Sequence, residues 1–340
     1  MKTPAFWYVV SDWRSFVLAL PAWLYGLVTA KRMALKPRFQ SRIPVICVGN
    51  FTAGGAGKTP AAMAIAKILV KMGKTPVFLT RGFGGSLTGP IEVNRSRHKA
   101  SEVGDEALLL VNIARTIVAQ DRVAGARLAE TLNADCIVMD DGLQNPHLFK
   151  DLRCVVVDGD AGWGNGYCVP AGPLRAPLAV QWRHTDLLII VGEGAMVESL
   201  LMQAATEGVP VLGTKLVPDL EILNKANTWV AYAGLGMPEK FFRFLKLHGF
   251  TLASSQAFGD HHIYRDEDAQ LLVSMSKKSD AQLVTTAKDA VKLTGSPALD
   301  ALGKKSCVLR VELKVAGGDT LLENRLAKLF ESANNTGPCH

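Results

Sequence analysis

No two of the six cysteines stand close together in the chain, and none has the spacing of a metal site. That excludes a zinc ribbon and a disulfide scaffold. Cys47, Cys136, Cys154 and Cys307 fall within apolar runs, so reduced, buried thiols are expected. Internal repeats and low-complexity tracts are absent too. The first apolar segment is flanked by charges and followed by no small-residue cleavage site, which argues against a secretory signal peptide. Acid is the minority charge. Asp and Glu number 31 against 38 Lys and Arg, a net charge of +7, which suits acidic partners: phosphorylated ligands, anionic lipid or nucleic acid. With 48% hydrophobic and 20% charged residues over 340 positions, the chain reads as globular, with two domains or one domain and a large appendage.

A long hydrophobic run is also missing. The uncharged stretch from Ser15 to Ala30 has sixteen residues, about 24 Å as a helix against a hydrocarbon core of roughly 30 Å. It contains Pro21, and Lys31, Arg32, Lys36, Arg38 and Arg42 follow with no acid among them. The combination predicts a segment that lies in a membrane interface or inserts obliquely. Trp7, Trp13, Trp23 and Tyr25 would then sit at headgroup level, with the basic collar on an anionic lipid surface. The plainer alternative is a core helix packed on the domain.

What the chain does have is a distinctive stretch at Val45 to Ile65. An apolar β-type run ends at Gly49; a bend containing Thr52, Ala53, Gly54, Gly55, Ala56 and Gly57 then leads through Lys58 and Thr59 into a helix-forming segment. Strand, glycine loop and helix N-terminus together place backbone N–H groups around phosphate oxygens. Lys58 would reach the β and γ phosphates of a nucleotide and the Thr59 hydroxyl a magnesium ion. The strict pattern asks for glycine at position 52, where this chain has Thr52.

From Ile43 onward short β-branched runs alternate with helical stretches, which predicts a doubly wound, mostly parallel α/β sheet with its catalytic loops beyond the carboxyl ends of the strands. The pattern pauses near Pro210 to Asp219 and then restarts with strands at Trp229 to Ala233, Leu252 to Ala257, around Leu283 to Thr285 and at Ser306 to Val311. A final amphipathic helix covers Leu321 to Phe330, and a loose tail Ala333 to His340. The predicted division is 1–42 for the membrane-associated helix and collar, 43–215 for the P-loop domain, and 216–340 for a second, smaller α/β domain.

Several strand ends carry reactive groups. Cys136 to Met139 runs into Asp140 and Asp141, one of which would serve the metal. Asp105 and Glu106 precede a helix-like stretch, where acids are also ordinary dipole partners. Asp260, His261 and His262 stand in a loop of the second half, and Arg81, Arg175 and the pair Lys288 and Lys292 follow other strands or turns. As isolated features, these cations read equally as solvated surface.

Taken together, the blocks resemble the tetraacyldisaccharide 4'-kinases. The matching stretches are VGNFTAGGAGKTP (Val48 to Pro60), TRGFGG (Thr80 to Gly85), VGDE (Val103 to Glu106), DDGLQ (Asp140 to Gln144), GNG with PAGPLR (Gly164 to Gly166, Pro170 to Arg175), AYAGLGMPEKFF (Ala231 to Phe242), DHH (Asp260 to His262) and TTAKDAVKL (Thr285 to Leu293). The resemblance implies an ATP- and Mg2+-dependent enzyme of lipid A biosynthesis that phosphorylates a membrane-embedded acylated disaccharide phosphate at the cytoplasmic face of the inner membrane, with no nucleic-acid partner. It implies that the smaller domain closes over the nucleotide, that Lys58 and Thr59 bind phosphates and magnesium, that Asp140 and Asp141 belong to the metal and phosphate shell, and that Glu106 lies near the metal. Asp105 would pair with a histidine of the Asp260 to His262 block, His261 being preferred over His262. Arg81, Asn165 and Arg175 would contact the substrate. Ala287 departs from the family, which more usually has Glu there. A rival reading is a membrane-docked P-loop switch ATPase that regulates a protein partner; such proteins usually carry a signature lysine where this chain has Ala53.

Overall fold

The computed structural model describes residues 4–9, 11–236 and 238–335. Cys339, Met237 of the AYAGLGMPEKFF block and the last residues of the expected loose tail lie outside them.

Two short helices, Trp13–Val17 and Ala19–Met33, open the chain, broken at Leu18. Pro21 falls in the first turn of the second helix, where a missing N–H removes no intrahelical bond. One face carries Ser15, Ala22, Gly26 and Met33 onto the domain, and Ala22 and Met33 join an apolar cluster with Val155, Leu174 and Leu188. The other face leaves Trp13, Phe16, Val17, Leu20, Trp23 and Val28 each at least 60% exposed. That stripe is not the surface of an ordinary core helix. Trp7 is half-buried, and its indole nitrogen donates to the carbonyl of Pro170 at 3.0 Å. Among the described residues no helix is long and apolar enough to cross a membrane.

The strands follow in order: β1 Val45–Gly49, β2 Pro76–Thr80, β3 Ile91–Glu92, β4 Thr116–Val118, β5 Cys136–Asp140, β6 Leu152–Asp158, β7 Leu187–Val191, β8 Val211–Pro218, β9 Thr228–Ala233, β10 Thr251–Ala257, β11 Gln282–Thr286, β12 Ser306–Leu309 and β13 Val311–Val315. They form a nine-stranded sheet in the order β13-β8-β7-β6-β1-β5-β2-β4-β3 and a four-stranded sheet in the order β10-β9-β11-β12. The smaller sheet is wholly parallel, and only the edge strands β3 and β13 run antiparallel in the larger one. Both faces of β1 are covered: Ile46 and Val48 pack with Ile65 and Leu69 of the helix Lys58–Lys71, and Val45 and Cys47 with Ala126 and Ala129 of the helix Arg122–Thr131. The continuous apolar run of β1 is what a parallel strand buried on both sides requires.

Three expectations need correction. The pause near Pro210 to Asp219 is a strand, β8, whose alternating exposure hid it. The second domain does not run from 216 to the end, because β13 pairs with β8, and Leu313, Leu322 and Leu326 share a core with Ile46. The single β-like run expected at Ser306 to Val311 serves two sheets, breaking at Arg310. Among the described residues the chain crosses between the sheets only there and near Asp219, whose N–H donates to the Arg310 carbonyl at 2.9 Å.

The site is set by the neighbours of β1. Val48 lies opposite Asp140 in the β1–β5 register, so the glycine loop and the two aspartates leave the sheet side by side. A Cβ at Gly49 would come within 2.5 Å of the Leu143 Cβ, so only glycine lets these two loops pack this closely.

Candidate active site

Beyond Gly49 the loop wraps toward the helix Lys58–Lys71, entered through Gly57 at φ 89°, a left-handed backbone that favours glycine. Thr52 has no such demand. It pairs with Leu174 as an isolated antiparallel bridge, so a side chain is tolerated where the strict pattern has glycine. Lys58 Nζ donates to the Gly54 carbonyl at 3.5 Å and stands 4.0 Å from Asp141 Oδ2. Gly54, Gly55 and Ala56 complete the curve, with Ala56 buried beneath it.

Three carboxyl groups face this cradle. Thr59 Oγ1 donates to Asp140 Oδ2 at 3.2 Å, while Asp140 Oδ1 is buried without a partner. Burial first, then the charges of Glu106 and Asp141, push the Asp140 carboxyl up to about 7. Burial and the charge of Asp105 also raise Glu106, although Lys288 and Lys58 pull against them. For Asp141, burial is outweighed by Lys58 and Arg175, which hold it below the usual range; Arg175 Nη1 donates to its Oδ1 at 2.6 Å. Crowded, partly orphaned acid next to a hydroxyl lacks positive charge. No group of three or more His, Cys, Asp or Glu that could hold a metal occurs among the described residues. A hard cation held by one or two carboxylates, a hydroxyl and substrate phosphates needs no such group.

Asp105 begins the helix Asp105–Leu110 and is only 4% exposed. Its Oδ2 lies 3.0 Å from Nδ1 of His261, and its Oδ1 accepts from the N–H of Glu106 at 2.9 Å. The imidazole is raised above its ordinary value, first by the hydrogen bond it donates to Asp105. Burial of Asp105 is outweighed by His261 and Lys288, and its carboxyl is held down. His262 points elsewhere. Its Nε2 meets Asp268 at 2.9 Å and its ring stacks on Phe258. Of the two adjacent histidines, the one facing the acids of the larger sheet is His261. Phe83, from the loop after β2, touches its ring edge-on at 5.4 Å.

The family model for Tetraacyldisaccharide-1-P 4'-kinase matches residues 14–331. The chain belongs to that family. It is 47% identical to the tetraacyldisaccharide 4'-kinase of Methylorubrum extorquens strain PA1 over 98% of this chain and 100% of the relative. The kinase of that name from Bradyrhizobium diazoefficiens is 44% identical over 87% of this chain and 88% of the relative. The fold is similar to the crystal structure of LpxK from Aquifex aeolicus in complex with ATP, with a TM-score of 0.72 and 24% identity over 93% of this chain and 99% of that one. Membership makes the chain a kinase and does not favour the switch-ATPase reading.

In this 4'-kinase family member the three residues expected at the substrate differ in their surroundings. Arg81 is exposed at the end of β2. Asn165 spends its amide on Ser15 Oγ at 2.9 Å and the Ala171 carbonyl at 3.0 Å, tying the N-terminal helices to the loop before Arg175. Arg175 also donates through Nε to the Thr52 carbonyl, bracing the cradle from outside.

Other groups carry more than their sequence showed. Gln144 bonds the Asn50 carbonyl and the buried Gln181, which in turn holds the Phe51 carbonyl. Lys292, read as surface, is buried against the fully buried Asp289 at 2.7 Å; their spacing of three residues was visible, their burial was not. Lys288 reaches His261 Nε2 at 3.3 Å. Position 287 opens the short helix Ala287–Ala290 that carries it.

Proposed function

We propose that this chain transfers the γ-phosphoryl group of ATP to the 4'-hydroxyl of a tetraacyldisaccharide 1-phosphate, giving lipid IVA, at the cytoplasmic face of the inner membrane. The observation that carries the catalytic assignment is the Asp105–His261 pair, brought up to the acids beside the cradle from the other sheet. Asp105 holds the Nδ1 proton, so Nε2 is the basic nitrogen. It accepts the hydroxyl proton as the sugar oxygen attacks the γ phosphorus and the bond to the β-phosphate oxygen breaks, leaving ADP.

Thr52 to Thr59 would wrap the phosphates with backbone N–H groups, and Lys58 would swing from the Gly54 carbonyl to the β and γ oxygens. Asp141, held by Arg175, keeps Lys58 in reach. Thr59, Asp140 and Glu106 would hold Mg2+, and the orphaned Asp140 oxygen fits that role. When bound, the ion neutralises phosphate charge. We place the closing lobe at 219–310, turning on the paired crossings at Asp219 and Arg310.

The substrate's acyl chains stay in a bilayer, so the sugar must be met at its surface. The exposed stripe from Trp13 to Val28 and the collar from Lys31 to Arg42 are suited to that anionic surface. Arg81, exposed, remains for the 1-phosphate.

The test is incubation with γ-labelled ATP, magnesium and the tetraacyldisaccharide 1-phosphate in detergent. Label should reach the lipid with wild type and His262→Gln, and not with Asp105→Ala or His261→Ala. Full labelling by His261→Ala would overturn the assignment of the base.

A further inference from the structure

Lys288 occupies an unusual place between the two sheets. Its ammonium donates to Nε2 of His261 at 3.3 Å and lies 3.7 Å from Asp105 Oδ2 and 4.0 Å from Asp260 Oδ1. The carboxylates are ion-pair neighbours beyond hydrogen-bond distance, so the nearest acceptor of this cation is the nitrogen assigned above as the base. The side chain is 24% exposed.

Its position relative to the cradle follows from Glu106. The N–H of Glu106, one of the acids facing the cradle, donates to Asp105 Oδ1 at 2.9 Å, and Lys288 stands 3.7 Å from the other oxygen of the same Asp105 carboxylate. Lys58 belongs to the cradle that would take the β and γ phosphates. Lys288, beside the base and against the acid that precedes Glu106, would meet the phosphoryl group from the acceptor side. Beneath it, Asp289 and Lys292 pair in the interior, and Thr286 caps the short helix through the Asp289 N–H and carboxylate. This holds the backbone at Lys288 still while its four-carbon stem can swing.

We propose that Lys288 is a further catalytic residue, which covers Nε2 of His261 in the absence of nucleotide and pairs with the transferring γ-phosphoryl oxygens when ATP is bound. The inference rests on the assignment of His261 as base. In the balanced step the hydroxyl proton passes to Nε2, the sugar oxygen bonds to γ phosphorus, and the electron pair of the broken P–O bond stays on ADP. Lys288 keeps its protons throughout and contributes only charge. The anion that draws it from Nε2 is the one the uncovered base is needed to react with, so base and phosphoryl group become ready together.

The experiment compares wild type, Lys288→Met, Lys288→Arg and His261→Ala in the lipid-labelling assay, with calorimetric titration of a non-hydrolysable ATP analogue. A second readout is carbethoxylation of His261 by diethylpyrocarbonate in nucleotide-free protein, with His262 as internal control. Lys288→Met should lower kcat roughly 100-fold, with lipid KM and analogue affinity changed by less than about threefold. Lys288→Arg should regain roughly tenfold, since a cation is restored with different geometry. His261 should be carbethoxylated several-fold faster in Lys288→Met than in wild type, and His262 at the same rate in both.

Unchanged kcat in Lys288→Met, or a raised lipid KM alone, overturns the proposal, the second result assigning the cation to the substrate's own phosphate. Equal modification of His261 in both proteins overturns the covering. Loss in both Lys288 variants with lowered melting temperature makes the residue structural and also overturns it. Full activity of His261→Ala sinks the base assignment, a result separate from any behaviour of Lys288.

Discussion

His261 Nδ1 stands 3.0 Å from Asp105 Oδ2 across 156 positions of sequence, joining a loop of the smaller sheet to the first turn of a helix on the larger one. Each partner shifts the other: the imidazole is held above and the carboxylate below its ordinary value. The pair is a contact between lobes as well as a chemical unit.

Its pH dependence has a definite sign. Asp105 contributes stability above its unfolded value, lost as pH falls through its lower folded value. His261 contributes below its unfolded value, about 6.5, lost as pH rises through its higher folded value. Asp105→Asn should therefore destabilise most between these ranges, by about 2 kcal/mol, as urea denaturation at several pH values would show. Catalysis needs neutral His261, so kcat should rise with pH through a midpoint above the ordinary histidine value. In Asp105→Asn that midpoint should fall; an unmoved midpoint would detach Asp105 from the base.

Asp140 should act oppositely on stability and activity. Its folded value, about 7, is above its unfolded one, so its penalty is absent at low pH and complete above the folded value. At pH 8 with chelator, Asp140→Asn should stabilise the protein by roughly 2 kcal/mol or more, and the gain should vanish near pH 4. The same variant should need more magnesium for turnover. Chelated Asp140→Asn melting no higher than wild type would count against the crowding of acids.

Lys292 and Asp289 form a buried pair, 5% and 0% exposed at their side chains. Removing one member strands the other charge, so Lys292→Met or Asp289→Ala should cost about 3 kcal/mol. Thermal denaturation checks this. A double variant, Asp289→Leu with Lys292→Met, should recover part of the loss, which a solvated pair would not do.

Phe16 and Trp23, 75% and 60% exposed, offer an apolar face whose burial in lipid is worth about 2 kcal/mol per large side chain. Phe16→Asp with Trp23→Asp should abolish sedimentation with vesicles containing anionic lipid while leaving the fold intact by circular dichroism. Added salt should weaken wild-type binding through the basic collar. Binding that survives both treatments would remove the stripe from that role.

The sequence by itself determined the cradle from Gly49 to Thr59, the aspartates ending β5 and most strands of both sheets. Those features are local: a strand, a permissive backbone and a helix start are specified by adjacent residues. The resemblance implies that a histidine, His261 in preference to His262, meets Asp105. Only the tertiary structure decided that this histidine is His261, that Lys288 lies against it, that Asn165 holds the N-terminal helices, that Lys292 is buried, and that Val311 to Asn335 returns to the first sheet. Each depends on which surface a residue meets once two sheets dock. A short polar or β-branched segment reads alike whether its partner is water, its own sheet or the other one.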